Sequence, residues 1–544
     1  MNSIKYGVVY TPEGLADFTA ELLTVEAEAA KIKVKNVLDP ACGELSLLNS
    51  AKKFLPDKVN PLGIDIDKEA VEKNADELNI IWDDTIFPFE KNIGDTALYW
   101  KKRLPPVSMI IANPPWSSEK IYDKSELKNA GFELVDGQYD SYVLFMELAY
   151  NLVKSGGVFG FIIPDSLFEA QNQKLREFLV KKTEIRVIAR LGEKIFKEVN
   201  RATTVIICRK KIPDASAITH CFRLSTDDRK AFLQGDGNLI DYYNNGHHDV
   251  LQSRFVNNAS YNFDIDTRSE EEELLSKLKT GIISFEETFN FGRGVEISKS
   301  GQVVICPLCG DAQGFKKSQL TAGVKKCVNC GKQIVFSVKD VKSIIKKQQE
   351  KGTTGLYVGE NLKRYSLNLT SYICPNVKGI NYKNRDLYTP PKILIRKTGL
   401  GIYAAIDYSG DMTSQTIYML KAKAEAINNP LEYYLGLINS RVVYYYYLKI
   451  YGENEWKSHP YLTKEIIFSL PIKRYEGSKL DEEIISTTKK LMMDYDYNLD
   501  LQLESLIMKK YGLSKEEMRM ISQELNKLPD LSAINMMKMR EKDV

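Results

Sequence analysis

The chain has 544 residues, 43% of them hydrophobic and 27% charged, and a formal net charge of +3. This composition excludes a largely disordered chain, and the length allows about two to four domains. No apolar run is long enough to span a membrane, and the N-terminus lacks a secretory leader, so we expect a cytoplasmic globular protein.

The first predicted element is a helix that begins at Tyr10-Thr11-Pro12. Thr11 suits the N-cap position, and Pro12 suits the first helical position because proline has no N–H to leave unsatisfied. Leu15, Phe18 and Leu22 then recur at helical spacing. The helix is therefore expected to pack on the core, although the same pattern is also typical of an ordinary surface helix.

A short apolar strand, Val34–Leu38, precedes the loop Asp39-Pro40-Ala41-Cys42-Gly43 and an amphipathic helix. A strand, a glycine turn and a helix form the arrangement in which backbone N–H groups bind an anion. The carboxylate of a methionine group is one such anion.

Two further apolar strands end in acidic residues. The strand Leu62–Ile64 ends in Asp65-Ile66, 22 residues after Gly43, where a carboxylate can bind a ribose diol. Ile80-Ile81 is followed by Trp82, and Asp84 then offers an acceptor for an adenine amino group. Each acidic residue alone is also typical of a strand-end turn. Three successive strand ends favour a nucleotide-like cofactor.

The apolar run from Ser108 to Ala112 ends in Asn113-Pro114-Pro115-Trp116. In an open parallel sheet such a turn faces the ligand crevice. The Asn113 side-chain oxygen and the Pro114 carbonyl can accept hydrogen bonds from an NH2 group, which makes its nitrogen lone pair available to an incoming methyl group. Proline stiffens the turn, and Trp116 offers a face on which a planar base can stack. The tetrapeptide therefore predicts methyl transfer to an amino nitrogen.

The remaining strands of this region are predicted at Val158–Pro164, Ile185–Leu191 and Thr203–Cys208. Between the last two, Phe196 lies on a predicted loop and is a candidate second stacking residue, although a lone Phe is as often part of the core.

Taken in order, these features resemble the catalytic domain of the gamma-class DNA amino-methyltransferases, which use S-adenosylmethionine. The resemblance implies that Asn113 to Trp116 form the catalytic turn and that Phe196 is a base-stacking residue. It also implies a cofactor site formed by the following residues: Tyr10, Thr11, Pro12, Asp39, Pro40, Ala41, Cys42, Gly43, Asp65, Ile66, Asp84 and Asn113.

Two positions depart from the family pattern. Leu45 stands where the family usually has glycine, which puts cofactor affinity in question. Trp116 stands where Tyr or Phe is commoner.

Four of the eight cysteines form two C-x2-C doublets, Cys306/Cys309 and Cys327/Cys330, separated by 17 residues. Four thiolates at this spacing predict a closed, tetrahedral, structural Zn2+ site in a zinc ribbon at 303–335.

Residues 301–400 carry 18 Lys/Arg and 5 Asp/Glu, a net +13, so the rest of the chain carries −10. A basic segment on an acidic protein predicts polyanion binding. Tyrosines at 357, 365, 372 and 382 are interleaved with these charges and fit the same surface. The candidate phosphate-contacting residues are Lys363, Arg364, Arg385, Arg396 and Lys397.

Three stretches at 359–365, 391–396 and 434–440 are similar to the target-recognition domain of Type II restriction–modification adenine methyltransferases. The implied fold is a Rossmann-like α/β methyltransferase sheet with helices on both faces, followed by an α+β target-recognition domain with a zinc ribbon and a helical C-terminus. The predicted domains are 1–245 (catalytic), 262–475 (DNA target recognition) and 476–544 (helical appendage).

The implied activity is site-specific transfer of a methyl group to adenine N6 in double-stranded DNA after base flipping. A separate restriction endonuclease is a candidate partner, since no nuclease motif is evident and the catalytic domain begins almost at Met1, and a monomer is favoured. N4-cytosine, RNA or a protein glutamine as the methyl acceptor, and a DNA-binding module with a decayed catalytic half, stay open as alternatives.

Overall fold

The protein is described from a computed structural model that covers residues 11–74, 79–90, 94–116, 123–135, 140–197, 201–426, 428–452, 461–528, 531–532 and 534–539. It divides into two compact units, one comprising residues 1–271 and 449–458 and the other 272–448 and 459–544. None of the helices in these ranges combines the length and the hydropathy of a membrane span.

The first unit is a mixed α/β domain. Its strands are β1 Asn36–Asp39, β2 Asn60–Asp65, β3 Asn79–Trp82, β4 Met109–Ala112, β5 Val158–Pro164, β6 Glu184–Gly192, β7 Thr203–Arg209, β8 Ile218–Arg223 and β9 His248–Leu251. Its helices are α1 Glu13–Ala29, α2 Ser46–Phe54, α3 Lys68–Asn74, α4 Thr96–Arg103, α5 Lys124–Asn129, α6 Tyr142–Leu152, α7 Gln173–Lys182, α8 Thr226–Gln234, α9 Leu239–Gly246 and α10 Gln252–Asn257.

The nine strands form one sheet in the order β3-β2-β1-β4-β5-β7-β6-β8-β9. Strands β1 to β5 pair in parallel, and β7 runs antiparallel to both β5 and β6. Because β1, β2, β3 and β4 are parallel, their carboxyl ends lie along one edge of the sheet. The chain order reverses between β1 and β4, which is where open α/β sheets bind their ligands.

Side chains of the central strands are buried on both faces of this sheet. In β1, Val37 belongs to the core formed with α1 and α2, whereas Leu38 belongs to the core formed with α4 and α6. This arrangement explains why the central strands are continuous apolar runs rather than alternating patterns. It agrees with the predicted α/β class and with helices on both faces.

Strands β1 to β7 lie within a few residues of their predicted positions, whereas β8 and β9 were not predicted. Helix α1 begins at Glu13 with Pro12 as its N-cap, one residue later than predicted. The sequence pattern could not locate that boundary because proline is tolerated at both positions.

The second unit combines small sheets with helices. Its strands are β10 Phe289–Arg293, β11 Gln302–Ile305, β12 Ala312–Gln313, β13 Val324–Lys326, β14 Gln333–Val335, β15 Lys342–Ser343, β16 Ile345–Lys346, β17 Thr354–Tyr357, β18 Leu362–Lys363, β19 Ser366–Leu367, β20 Tyr372–Ile373, β21 Lys392–Arg396, β22 Ala404–Asp407, β23 Met412–Thr413 and β24 Ile417–Ala422. Its helices are α11 Glu272–Leu278, α12 Phe285–Thr288, α13 Lys317–Ala322, α14 Leu431–Ile438, α15 Arg441–Tyr451, α16 Lys464–Ser469, α17 Lys479–Met493, α18 Tyr497–Lys510 and α19 Lys515–Asn526. The last three residues of α15 are assigned to the first unit.

The main sheet of this unit has the order β10-β24-β21-β22 and is antiparallel throughout. A second sheet has the order β16-β20-β17-β23. Helix α17 packs against α14 and α18, so the C-terminal helices belong to this unit. The tyrosine run of α15, Tyr444–Tyr447, is buried.

Candidate active site and metal centre

The loop after β1 is closed by hydrogen bonds from two neighbouring strand ends. The Asp39 carboxylate accepts from the Ala41 backbone N–H at 3.0 Å, and the Thr85 hydroxyl donates to the Pro40 carbonyl at 2.6 Å. The Gly43 N–H donates to the Asp65 carboxylate at 2.7 Å. These bonds join the carboxyl ends of β1, β2 and β3, so the three predicted cofactor positions do lie side by side.

Gly43 leaves one side of this loop open. Its φ is +46°, and a Cβ added there would meet nothing within 4 Å. A ligand can therefore approach this backbone closely. Ile66 and Trp82, which are 37% and 46% exposed, offer apolar surface beside it at the ends of β2 and β3.

Leu45, the departure from the family pattern, adopts a backbone conformation that glycine favours. It is the N-cap of α2 with φ +66° and ψ +12°, in the left-handed region. Its side chain is fully buried against the core formed with α1 and α2. Leucine therefore follows the backbone path that glycine would take and adds apolar contact beneath the loop.

Buried carboxyl groups characterise this edge of the sheet. Asp39 is 1% exposed, and burial, with a smaller contribution from the nearby Asp65 charge, raises the pKa of Asp39 to about 8. Burial also raises the pKa of Asp65, against the lowering effect of backbone hydrogen bonds from Asp67 and Gly43. Asp84 is also buried and accepts from the backbone N–H groups of Ile86 and Phe87 at 2.8 and 3.0 Å.

The turn after β4 faces the start of α1. The Asn113 side-chain NH2 donates to the Thr11 hydroxyl at 3.0 Å, across 102 positions of sequence. This hydrogen bond orients the amide so that the Oδ1 atom is on the opposite edge from Thr11. Thr11 therefore contacts the turn directly, whereas Tyr10 lies outside the described residues.

A set of polar side chains also holds the turn after β4 in place, and these contacts were not predicted from the sequence. The Ser141 hydroxyl donates to the Pro115 carbonyl, and Arg201 donates to the Trp116 carbonyl at 2.7 Å. Arg201 also pairs with Asp140 at 2.9 Å. The position of Arg201 just before β7 carried no recognisable signal, because its partners are distant in the chain.

Trp116 is half-buried and its ring nitrogen donates to the Ile162 carbonyl at 3.3 Å. Phe196 packs edge-on against it, with ring centroids 5.1 Å apart and an interplanar angle of 83°. Phe196 is only 2% exposed, so its observed role is to support Trp116. Stacking of a base on Phe196 stays a prediction and requires the two rings to separate.

The four doublet cysteines cluster in the second unit. Their sulfur atoms all lie within 4.8 Å of one another, and Sγ distances are 3.7 Å for Cys306–Cys330 and 3.7 Å for Cys309–Cys327. A disulfide needs about 2.05 Å. Tetrahedral zinc with Zn–S bonds of about 2.3 Å separates its sulfurs by about 3.8 Å. The geometry therefore fits four thiolates around one ion.

The predicted phosphate-contacting residues differ in exposure. Lys363 and Arg385 are exposed, and Arg396 and Lys397 are half-buried. Arg385 lies over the Tyr382 ring at 4.4 Å, and burial and the nearby Arg293 lower the pKa of Lys397.

The prediction for Arg364 is wrong. Its side chain is 2% exposed and forms two hydrogen bonds to Asp500 of α18, at 3.0 and 2.9 Å. It also donates to the Asn439 carbonyl at 2.8 Å. A guanidinium that is buried and paired in this way is not available to a phosphate group.

The burial of the interleaved tyrosines also contradicts the prediction that they belong to a polyanion-binding surface. Tyr357, Tyr365 and Tyr382 are 7%, 2% and 6% exposed, and only Tyr372 is half-buried. They belong to the interior of the unit rather than to a binding surface.

Comparison with known families gives two matches. Residues 2–232 match the family model described as N-6 DNA Methylase, and residues 354–472 match the TaqI-like C-terminal specificity domain. The cysteine cluster lies in neither matched range.

Two curated relatives align with the N-terminal part. The chain is 28% identical over 229 residues to the type I restriction enzyme MjaVII methylase subunit of Methanocaldococcus jannaschii. The aligned segment covers 39% of this chain and 37% of the relative. It is 28% identical over 189 residues to the uncharacterized protein YtxK of Bacillus subtilis. That aligned segment covers 34% of this chain and 54% of YtxK. The matches therefore span between a third and just over half of these relatives.

Among solved structures, the chain resembles the ATP-dependent Type ISP restriction–modification enzyme LlaBIII bound to DNA, with a TM-score of 0.51 and 13% identity over 90% of this chain and 39% of that one. It also resembles the DrdV–DNA complex, with a TM-score of 0.51 and 12% identity over 90% of this chain and 57% of that one. At these identities the likeness shows the fold alone.

Proposed function

We propose that this chain, which carries an N-6 DNA methylase domain followed by a TaqI-like C-terminal specificity domain, is a site-specific adenine-N6 DNA methyltransferase of a restriction–modification system. One observation carries the proposal: the Asn113 amide, oriented by Thr11, stands at the end of β4 on the edge where the β1 to β3 loops meet. Relatives from restriction–modification systems support the same activity.

The residues at the ends of β1 to β3 fit S-adenosylmethionine. The open side of Gly43 admits close approach to the backbone, and Asp65 offers a carboxylate for the ribose hydroxyls. We assign Asp84 to the amino group of the cofactor's adenine, and Ile66 and Trp82 to the faces of the cofactor's adenosine. Bound there, S-adenosylmethionine supplies an electrophilic methyl group.

The turn Asn113–Trp116 acts on the other substrate. We assign the Asn113 Oδ1 atom and the Pro114 carbonyl as acceptors for the adenine NH2 group, which raises the nucleophilicity of N6. The braces from Ser141 and Arg201 hold the carbonyls of Pro115 and Trp116 and so support this arrangement. No general base is needed, because N6 loses its proton to water after transfer.

The target adenine must leave the DNA stack, because N6 is not accessible inside a duplex. Extrusion costs a few kcal/mol, and stacking on Trp116 offsets it by about 1–3 kcal/mol. Phosphate contacts of the specificity domain supply the rest, with Lys363, Arg385, Arg396 and Lys397 as candidates. We further assign one structural Zn2+ to Cys306, Cys309, Cys327 and Cys330, on the strength of the sulfur distances.

The decisive experiment replaces Asn113 with alanine. We expect Asn113→Ala to bind S-adenosylmethionine and duplex DNA as the wild type does, while single-turnover methylation falls by about 100- to 1000-fold, the usual effect of losing one transition-state hydrogen bond. Binding is followed by calorimetry and methylation by transfer of labelled methyl groups to DNA.

The matched control is Asn129→Ala, which removes an exposed asparagine at the end of α5. Its activity should equal that of the wild type. Undiminished methylation by Asn113→Ala would refute the assigned role. A wild-type chain that binds no S-adenosylmethionine would favour a decayed catalytic half instead.

A further inference from the structure

Two histidines and an aspartate meet at the outer end of the nine-stranded sheet. His220 lies in β8 directly opposite Asp249 in β9, and His247 follows α9. One ligand atom from each of the three side chains lies within 4.8 Å of the others. The family match for the catalytic domain ends at residue 232, before His247 and Asp249.

The His247 ring is held in a defined orientation. It stacks on the Tyr243 ring with centroids 4.6 Å apart and an interplanar angle of 10°. Its Nδ1 atom lies 2.9 Å from the Tyr243 carbonyl oxygen, which only accepts hydrogen bonds. The ring therefore carries its hydrogen on Nδ1 and presents the lone pair of Nε2.

His220 lies between two carboxylates. Its Nδ1 atom is 2.6 Å from the Asp249 carboxylate, and its Nε2 atom is 3.8 Å from the Glu26 carboxylate. Glu26 is in turn paired with Arg186 at 2.7 Å. At 2.6 Å the Nδ1 atom and the Asp249 oxygen share a hydrogen, and an ion bound by both atoms would displace that hydrogen.

We propose that His220, His247 and Asp249 bind a divalent first-row transition metal ion, with Zn2+ as the representative case. Two imidazoles and one carboxylate suit zinc, nickel or copper, whereas calcium and magnesium prefer oxygen ligands alone. Glu26 then takes the place of the outer carboxylate that commonly orients a metal-bound histidine. Asp249, whose side chain is 57% exposed, has room to withdraw from 2.6 Å to about 3 Å from Nδ1, as two ligands of one ion require.

The site would connect β8 and β9 to the C-terminal end of α9. Tyr243 of α9 packs edge-on against Phe18 of α1 with centroids 5.9 Å apart, and against Phe222 of β8 at 5.5 Å. A bound ion therefore stabilises one end of the catalytic unit. It does not take part in methyl transfer, so the inference goes beyond the proposed function.

The test counts metal ions on the untagged full-length chain. After removal of loosely bound metal with a weak chelator, Zn2+ is titrated by calorimetry and the stoichiometry is checked by native mass spectrometry. We expect one tightly held ion at the cysteine cluster and one weaker equivalent at the histidine site. His247→Ala and Asp249→Asn should each weaken the second equivalent by at least about tenfold.

Two controls separate this site from the cysteine cluster and from general surface binding. Asp227→Asn removes an exposed aspartate of α8 and should leave both equivalents unchanged. Cys306→Ser should lose the tight ion and keep the weaker one. The proposal would be overturned if the wild-type chain bound no second equivalent of Zn2+. It would also be overturned if both His247→Ala and Asp249→Asn still bound that second equivalent as the wild type does.

Discussion

At the scale of single residues, the candidate site depends on polar groups that are protonated because of burial or oriented by a hydrogen bond. Asp39 ends β1 inside the protein, and its carboxyl accepts a hydrogen bond from the backbone of Ala41. Asn113 is directed by one hydroxyl, that of Thr11. In both cases one hydrogen bond fixes the polar group, from a residue two positions away for Asp39 and 102 positions away for Asn113.

The buried carboxyl of Asp39 predicts a pH dependence of stability. Its pKa is about 8 in the folded protein, chiefly because of burial, whereas an aspartate in an unfolded chain has a pKa of about 3.9. Between these values the folded state holds a proton that the unfolded state has lost, so the free energy of unfolding falls as pH rises from about 4 to about 8.

Asp39→Asn removes this titration while keeping the acceptor for the Ala41 N–H. The variant should therefore gain stability relative to the wild type as pH rises, measured as urea midpoints at pH 5 and pH 8. Asp57→Asn, at an exposed position before β2, serves as the control. If the urea midpoint of Asp39→Asn differs from that of the wild type by the same amount at both pH values, the assigned protonation of Asp39 is wrong.

At the scale of secondary-structure elements, the strands of the catalytic unit were largely predictable. A strand buried on both faces is a short apolar run, and the Asp, Gly or Pro that follows it marks its end, so β1 to β7 could be located to within a few residues. Strands β8 and β9 were not predicted because Thr219, His220 and His248 interrupt their apolar pattern. They are identified by the pairing of β8 with β6 and of β9 with β8.

The hairpins that carry the cysteines are elements too small to have a large core. Strands β11 to β14 enclose a few apolar residues beside the sulfur atoms, chiefly Val304, Ile334 and Phe336. Binding of one Zn2+ by four thiolates would contribute on the order of 10–16 kcal/mol to the folding of such a module.

We therefore expect Cys306→Ser to lose about one equivalent of zinc and to become susceptible to proteolysis within residues 303–335, while S-adenosylmethionine binding is unchanged. Zinc is counted by mass spectrometry and cleavage is mapped by peptide sequencing. Cys374→Ser, a half-buried cysteine outside the cluster, should behave as the wild type. Full protease resistance of metal-free Cys306→Ser would contradict a structural role for the ion.

At the scale of the whole molecule, charge is divided between a basic stretch at 301–400 and an acidic remainder. Adjacent residues in that basic stretch serve different purposes. Lys363 is exposed, whereas Arg364, which directly follows β18, forms a buried ion pair with Asp500 of α18. Composition alone could not distinguish them, because the partner Asp500 is 136 positions away.

This adjacent pair offers a test of DNA binding. Lys363→Ala should leave the free energy of unfolding unchanged and lower the salt slope of DNA affinity by about 1, as expected for the loss of one phosphate contact. Arg364→Ala should instead lower the free energy of unfolding by about 1–3 kcal/mol, because the buried Asp500 loses two hydrogen bonds while Arg441 still pairs with it at 3.0 Å.

DNA affinity is measured by anisotropy across a range of salt concentrations, and stability by chemical unfolding. A salt slope unchanged by Lys363→Ala would remove that residue from the DNA-contacting set. Wild-type stability of Arg364→Ala would contradict the structural role given to the buried pair.

The sequence by itself determined the approximate positions of β1 to β7, the residues at their ends and the two cysteine doublets. Each of these depends on a local pattern: an apolar run, a turn residue or a fixed spacing. The tertiary structure alone decided that Arg201 and Ser141 brace the turn after β4, that Arg364 is buried, and that His220 meets His247 and Asp249. These contacts join residues far apart in the chain, and no local pattern encodes which distant polar groups will meet once the core has formed.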